Sequence, residues 1–265
     1  MKVYLSADIE GVAGVSHWDQ TLLEKSSSQA AREQMTAEVA AACEGALEAG
    51  AREIWIQDAH DTGRNLLPRR LPEAIRLVSG WSGHPFQMLQ ALDGSFDAVL
   101  AVGYHAPAGA GGSPLEHTLS LGIASMTCNG RLASEFLVAG LTAAYVGVPL
   151  VFVSGDRAVC DEVEALNSNI VTVPVKEAVG DSILGIHPAL VEREIRSGVQ
   201  RALLGDLGRC TLDLPPFFTV DVRFRSASKA FRSGFYPGAR QIDVATVRYE
   251  AEDFLDVLRF FLFAL

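Results

Sequence analysis

What most limits the folds open to this chain is a series of short, continuous apolar runs, each ending in polar residues. Residues 3–5, 53–57, 97–103, 149–153 and 170–173 have this form. Runs without polar alternation are buried on both faces, as in a parallel sheet covered by helices. Helices are expected between them. Ser26, Ser27 and Ser28 offer caps to one over 29–49, with Glu33 near its start, Gly50 as its stop and a small, Ala-rich face suited to close packing on a sheet. Others are predicted over 133–146, 158–166 and 188–204, with a short strand over 74–78 and a short helix over 85–92. A strand over 119–125 leads to Asn129-Gly130, the strongest short hairpin signal in the chain. This is α/β order, and it predicts a mostly parallel central sheet flanked by helices.

The last third differs. Residues 217–225 and 241–249 alternate apolar and polar, and a final helix is expected from 250. Such half-exposed strands predict a smaller C-terminal α+β portion. The stretch 205–216, with Pro215-Pro216, is the candidate linker, dividing an α/β metal-binding core (1–204) from that portion (205–265), packed on it as a second lobe or as one continuous domain.

Bulk properties exclude several function classes. A net charge of −10 with no Lys/Arg-rich run argues against a nucleic-acid partner. No apolar run is long enough to span a bilayer; 254–262 is interrupted by Asp256 and Arg259 and reads as a core helix, so no membrane partner is expected. The N-terminus enters a strand without signal-peptide features, which predicts a cytoplasmic location. Cys43, Cys128, Cys160 and Cys210 lack C-x-x-C spacing and read as reduced, buried thiols.

The chemistry lies at the strand exits. Asp8 and Glu10 follow the first run, Asp58 and His60 the second, His105 the next, and Asp156 a later one. Singly, each has an ordinary reading: loop acids, a capping or surface histidine, a strand-end histidine. In a parallel sheet, however, the strand ends share one edge, and ligands bind there. Two neighbouring carboxylates leaving a buried strand are costly without a cation or donors to offset them. Carboxylate and imidazole without thiolate suit zinc, manganese or iron(II), and this set is enough for two ions ~3.5–4 Å apart sharing one carboxylate. Asp8 is the natural bridge, and Asp58 and Asp61 could fix the tautomer of His60. Glu135 is either an acid favoured near a helix N-terminus or part of the site. His17, His84 and His187 read as ordinary surface or loop residues. The Gly/Ala/Pro-rich stretch 106–114 lacks the strand-to-helix spacing of a dinucleotide fingerprint and reads as a mobile loop beside the site. His117, just beyond it, is open between a surface residue and a mobile acid/base group.

Ser6-Ala7-Asp8-Ile9-Glu10-Gly11, Asp58-Ala59-His60, Gly103-Tyr104-His105, Glu116-His117-Thr118 and Glu135 resemble, in order, the motifs of the DppA-type zinc D-aminopeptidases. That family takes its name from a dipeptide-transport operon, and the likeness continues through Gly155-Asp156-Arg157 and Val175-Lys176. The resemblance implies a zinc-dependent aminopeptidase or amidase that releases N-terminal, D-configured residues from short peptides or aminoacyl amides. It implies two zinc ions, with Asp8 bridging them, Glu10 and His60 completing one, and His105 and Glu135 the other. His117 matches the catalytic histidine, as nucleophile or acid/base. A homo-oligomer, specifically a decamer whose sites face an internal channel, is implied as well. The pattern departs at Ser134, where the family carries glycine, and at Glu116, where it carries a small polar residue. The rival readings are a dinuclear hydrolase of another class, such as a phosphoesterase, and a non-catalytic small-peptide binding protein. A shortage of basic residues near the ligands speaks against the phosphoesterase, whereas Arg131 and Arg157 keep it open.

Overall fold

A computed structural model describes all 265 residues. The first half runs β1 (Lys2–Ala7), α1 (Ser28–Glu48), β2 (Glu53–Asp58), β3 (Ile75–Val78), β4 (Ala98–Tyr104), β5 (Ile123–Cys128) and β6 (Arg131–Leu132). There follow α2 (Glu135–Tyr145), β7 (Leu150–Asp156), α3 (Arg157–Leu166), β8 (Val171–Val179), β9 (Ser182–Gly185) and α4 (Pro188–Leu204). The chain closes with β10 (Phe218–Phe224), α5 (Ala227–Ser233), β11 (Arg240–Gln241), β12 (Thr246–Ala251) and α6 (Phe254–Ala264).

The apolar runs form a seven-stranded sheet in the order β3-β2-β1-β4-β7-β8-β9. Every pairing in it is parallel except the β8–β9 hairpin. β4 and β7 are buried at every position, as non-alternating strands at the centre of a helix-covered sheet should be. The register sets Leu5 opposite both Ile56 and Leu100, so β1, β2 and β4 end level with one another and present their exits on one edge.

The second sheet is antiparallel, in the order β11-β12-β10-β5-β6, and its long strands alternate buried and half-exposed residues. β5 and β6 come from before residue 204, so a boundary at 204/205 does not coincide with the division between sheets. One apolar cluster, running from Val3 to Ala264, joins both.

Four local expectations are corrected. The helix over 85–92 is a single 3-10 turn at Gln87–Leu89, with Gln87 itself at φ +46°. The strand over 119–125 starts only at Ile123, because Leu119 adopts φ +60° in a tight turn closed by Thr118 and Ser120. The run 241–249 is split into β11 and β12 by Asp243, whose carboxylate accepts from the N–H groups of Ala245 (2.7 Å) and Thr246 (2.8 Å). The final helix begins at Phe254, capped by Asp253, whereas residue 250 is still in β12. The Asn129-Gly130 turn has positive φ at both positions and joins β5 to β6, as its sequence predicts.

Candidate metal centre

The segment after β1 lies against the end of β4. Asp8 N–H donates to Val102 O (2.8 Å) and Gly11 N–H to Gly103 O (2.8 Å). Such an approach requires glycine: a Cβ on Gly11 would overlap Tyr104 O, and one on Gly103, at φ +76°, would overlap Asp8 O. The chain therefore leaves β1 with Asp8 and Glu10 beside His105. β2 delivers His60 to the same edge, and α2 contributes Glu135 from its first turn, where Ser134 caps the helix by accepting from Leu137 N–H (2.9 Å). The Ser134 hydroxyl also donates to Glu162 Oε1 (2.9 Å), which gives a structural use for the departure from glycine there.

The two carboxylate oxygens of Asp8 face different histidines. Oδ1 is 3.4 Å from His60 Nδ1, and Oδ2 is 3.4 Å from His105 Nε2. Glu10 Oε2 lies 3.0 Å from the same His60 nitrogen, and Glu135 Oε2 lies 3.4 Å from the same His105 nitrogen. The opposite nitrogen of each ring is held by a backbone carbonyl: His60 Nε2 by Thr21 O (2.9 Å) and His105 Nδ1 by Ala106 O (3.0 Å). A carbonyl can only accept, so in each neutral ring the lone pair is directed at the carboxylates. Donor atoms of Asp8, Glu10 and His105 fall within 4.8 Å of one another, and so do those of His105, His117 and Glu135.

The centre is buried: Asp8 is 2% exposed, Glu10 1%, His105 1% and Glu135 4%. Glu10 Oε1 and Oε2 and His105 Nε2 have no hydrogen-bond partner; the 3.0 Å approach of His60 to Glu10 lacks bonding geometry. Buried charges in this state need compensation. Without a metal it comes from protons. Burial pushes the Asp8 carboxyl up, but the His105 and His60 imidazoles, each 3.4 Å from one of its oxygens, override it and hold it well below the carboxylate range. Burial depresses both imidazoles, yet Glu10 and Asp8 hold His60, and Glu135 and Asp8 hold His105, well above the ordinary imidazole range. Divalent cations on the imidazole lone pairs and carboxylate oxygens meet the same demand, and the donor set is one that zinc accepts.

His117 is stacked on His105, with ring centroids 4.3 Å apart and planes 8° apart, and is edge-on to Trp18 at 5.4 Å. Its Nδ1 is 3.1 Å from Leu115 O, so in the neutral ring Nδ1 carries the proton and Nε2 presents the lone pair, 3.6 Å from Glu135 Oε1. Above these residues opens a cavity of about 440 Å³, walled by Trp18, Leu22, Trp81, Met88, Leu119 and Leu121. Its size is that of a small-molecule site. His84 also lines it, contrary to its reading as an ordinary surface residue.

Other expectations are corrected. Asp58 does not orient His60; it accepts from Asn65 N–H (2.5 Å), Leu66 N–H (2.7 Å) and Asn65 Nδ2 (3.0 Å), closing the loop after β2. Burial pushes its carboxyl up. Asp61, at φ +44°, is exposed on the cavity wall, and Thr21 O does what was expected of the two aspartates. Asp156 caps α3 through Val159 N–H (2.9 Å) and accepts from Ala106 N–H (2.9 Å), supporting the His105 segment from below. Glu116 accepts from Gly109 N–H (3.2 Å) and Gly111 N–H, so the Gly-rich loop binds the chain's own carboxylate. Sequence reasoning missed Glu38 and the environment of Lys176. Both are buried and bond the backbone of the segment after Asp8; Glu38 is flanked by Ala37 and Val39, whereas Lys176 stands between Val175 and Glu177, with no such local sign.

The family model Peptidase_M55, D-aminopeptidase, matches residues 1–263 of this sequence. A curated D-aminopeptidase of Bacillus subtilis (strain 168) is 29% identical over 260 residues, spanning 97% of this chain and 93% of the relative. The solved structure of the zinc-dependent D-aminopeptidase DppA from Bacillus subtilis, described as a self-compartmentalizing protease, superposes with a TM-score of 0.91 at 27% identity. That superposition covers 99% of this chain and 96% of the other.

Proposed function

Since the chain belongs to the Peptidase_M55 family of D-aminopeptidases, we propose that its strand-edge cluster is a two-zinc hydrolytic centre acting on the N-terminal, D-configured residue of short peptides or aminoacyl amides. One observation carries this reading: each oxygen of Asp8 faces a different imidazole, and each imidazole is locked by a carbonyl behind it. Asp8 would be shared between the two ions, with Glu10 and His60 holding one and His105 and Glu135 the other. Bound there, the ions would supply Lewis acidity toward a carbonyl oxygen and toward water.

The chain's own residues do the rest. Leu115 O holds His117 with Nε2 free, poised over His105 and beside Glu135, to take a proton from water and hand it to the leaving nitrogen. In the balanced step, water oxygen bonds to the carbonyl carbon, the C–N bond breaks, and the proton carried by Nε2 ends on the released amine. Asp61, the one cavity carboxylate outside the ligand set, receives the substrate ammonium. Trp18, Leu22 and Leu119 shield the reaction from water. Arg131 and Arg157 are exposed and do not line the cavity, so the cations that a phosphoesterase would use are elsewhere. The chain is also proposed to assemble as a homo-oligomer, a decamer by its family resemblance, which light scattering measures.

A panel of D- and L-aminoacyl amides, short peptides and phosphoesters tests the reading. Cleavage of the amides or peptides is expected, lost in His117→Ala with the metal retained. Cleavage of phosphoesters alone would overturn it, as would binding of peptides without turnover by the zinc-loaded protein.

A further inference from the structure

The segment from Glu10 to Val15 is almost entirely buried yet belongs to no helix or strand. Its backbone groups therefore need partners from outside regular secondary structure. Four of them, the carbonyls of Glu10, Val12 and Val15 and the N–H of Ala13, converge on two side chains distant in sequence. Lys176 Nζ, from β8, donates to Glu10 O, to Val12 O (3.1 Å) and to Val15 O (2.6 Å). An ammonium has three protons, so this set uses the full donor capacity of the side chain. Glu38 Oε1, from α1, accepts from Ala13 N–H (2.9 Å). Lys176 is 3% exposed and Glu38 is fully buried, and neither lines the cavity.

The arrangement matters because of what Glu10 lacks. Neither of its carboxylate oxygens has a hydrogen-bond partner in the protein. Metal-ligating carboxylates are ordinarily oriented by hydrogen bonds to the carboxylate itself. Here the side chain is directed by its own backbone, and the carbonyl of Glu10 is held by Lys176.

We propose that Lys176, with Glu38 as its counterpart, is a positioning residue for the Glu10–His60 half of the metal centre, acting through the backbone of residues 10–15 and never touching substrate. The inference rests on the two-subsite reading above. It separates cleanly from a purely electrostatic role, because the two accounts predict opposite signs. A buried positive charge repels a cation, so removing it by charge alone would tighten metal binding. Removing a positioning device loosens it.

The test is zinc removal by a competing chelator from the full-length protein, wild type against Lys176→Met, which keeps an unbranched apolar stem. Wild type should release zinc in two resolvable phases, and a single phase with one ion per chain would sink the two-subsite reading and this inference with it. In Lys176→Met, one phase should weaken by about 10–100-fold, the range for losing an orienting partner, while the other stays within about threefold. Two unchanged phases, two equally weakened phases, or tighter binding would each refute the positioning role. If Lys176→Met does not fold, Lys176→Gln, whose amide keeps two N–H donors, should show the same one-sided loss in smaller degree. Propylammonium added to Lys176→Ala should restore the weakened phase, and failure of both variants to show an asymmetric loss overturns the proposal.

Discussion

Metal loading at this centre should expel protons, and the number follows from its charges. Asp8, Glu10 and Glu135 bring three negative charges into a region almost without solvent exposure. In the metal-free protein, His60 and His105 are held well above the ordinary imidazole range, so both are protonated at neutral pH and the cluster carries a net charge near −1. Zinc requires both rings neutral, and two dications against three carboxylates leave about +1. About two protons per chain should therefore leave the imidazoles on loading at pH 7. The sign is fixed by the direction of displacement: raised imidazole values mean protons bound without metal and lost with it, so affinity rises with pH until the pH passes those raised values. Below them, two protons correspond to roughly a 100-fold gain in overall affinity per pH unit, or roughly 2.7 kcal/mol. Calorimetry at one pH in buffers of different ionisation enthalpy measures the proton count directly. Normal zinc binding with no proton release would show that the imidazoles were never charged, and the electrostatic account of the cluster would fail.

Three further outcomes follow from neighbouring residues. Burial pushes Glu38 up from 4.5 to about 7, so the stability it contributes is complete below pH 4.5 and is lost as pH rises through 7. That loss is roughly 3 kcal/mol, and Glu38→Gln, which keeps an acceptor for Ala13 N–H, should abolish it in urea unfolding compared at pH 5 and pH 8. His117→Ala should keep zinc affinity within about threefold and lower kcat by ~10²–10⁴, read by metal analysis and steady-state kinetics together. Glu116→Ser should free the amides of Gly109 and Gly111 and loosen the turn carrying His117, reducing kcat by about tenfold without changing zinc content. Unchanged kcat would mean that the loop is held by other contacts.

The parts legible in the sequence were those written in local pattern. Unbroken apolar runs marked the parallel strands, and polar residues at their exits marked Asp8, Glu10, His60 and His105, because in such a sheet the exits share one edge. Asn129-Gly130 predicted its hairpin because both residues tolerate positive φ. What escaped depends on contacts between distant segments. Asp58 and Asp156 looked like site residues, yet one closes a loop through Asn65 and the other caps α3, choices made by the backbone amides within reach. Glu135 carried only the ordinary signal of an acid in a first helical turn. His117 precedes a turn rather than a strand, because Leu119 takes a positive φ that its side chain does not announce. Lys176 meets the Glu10 segment across more than half the chain, a juxtaposition that composition and periodicity do not encode.

One carboxylate, Asp8, is proposed to join two metal ions. Anomalous diffraction at the zinc edge from crystals of the loaded protein tests it most directly. Two peaks per chain should appear ~3.5–4 Å apart, one beside Asp8 Oδ1 and His60 and the other beside Asp8 Oδ2 and His105. A single peak, or two peaks with Asp8 bound to only one of them, would contradict it.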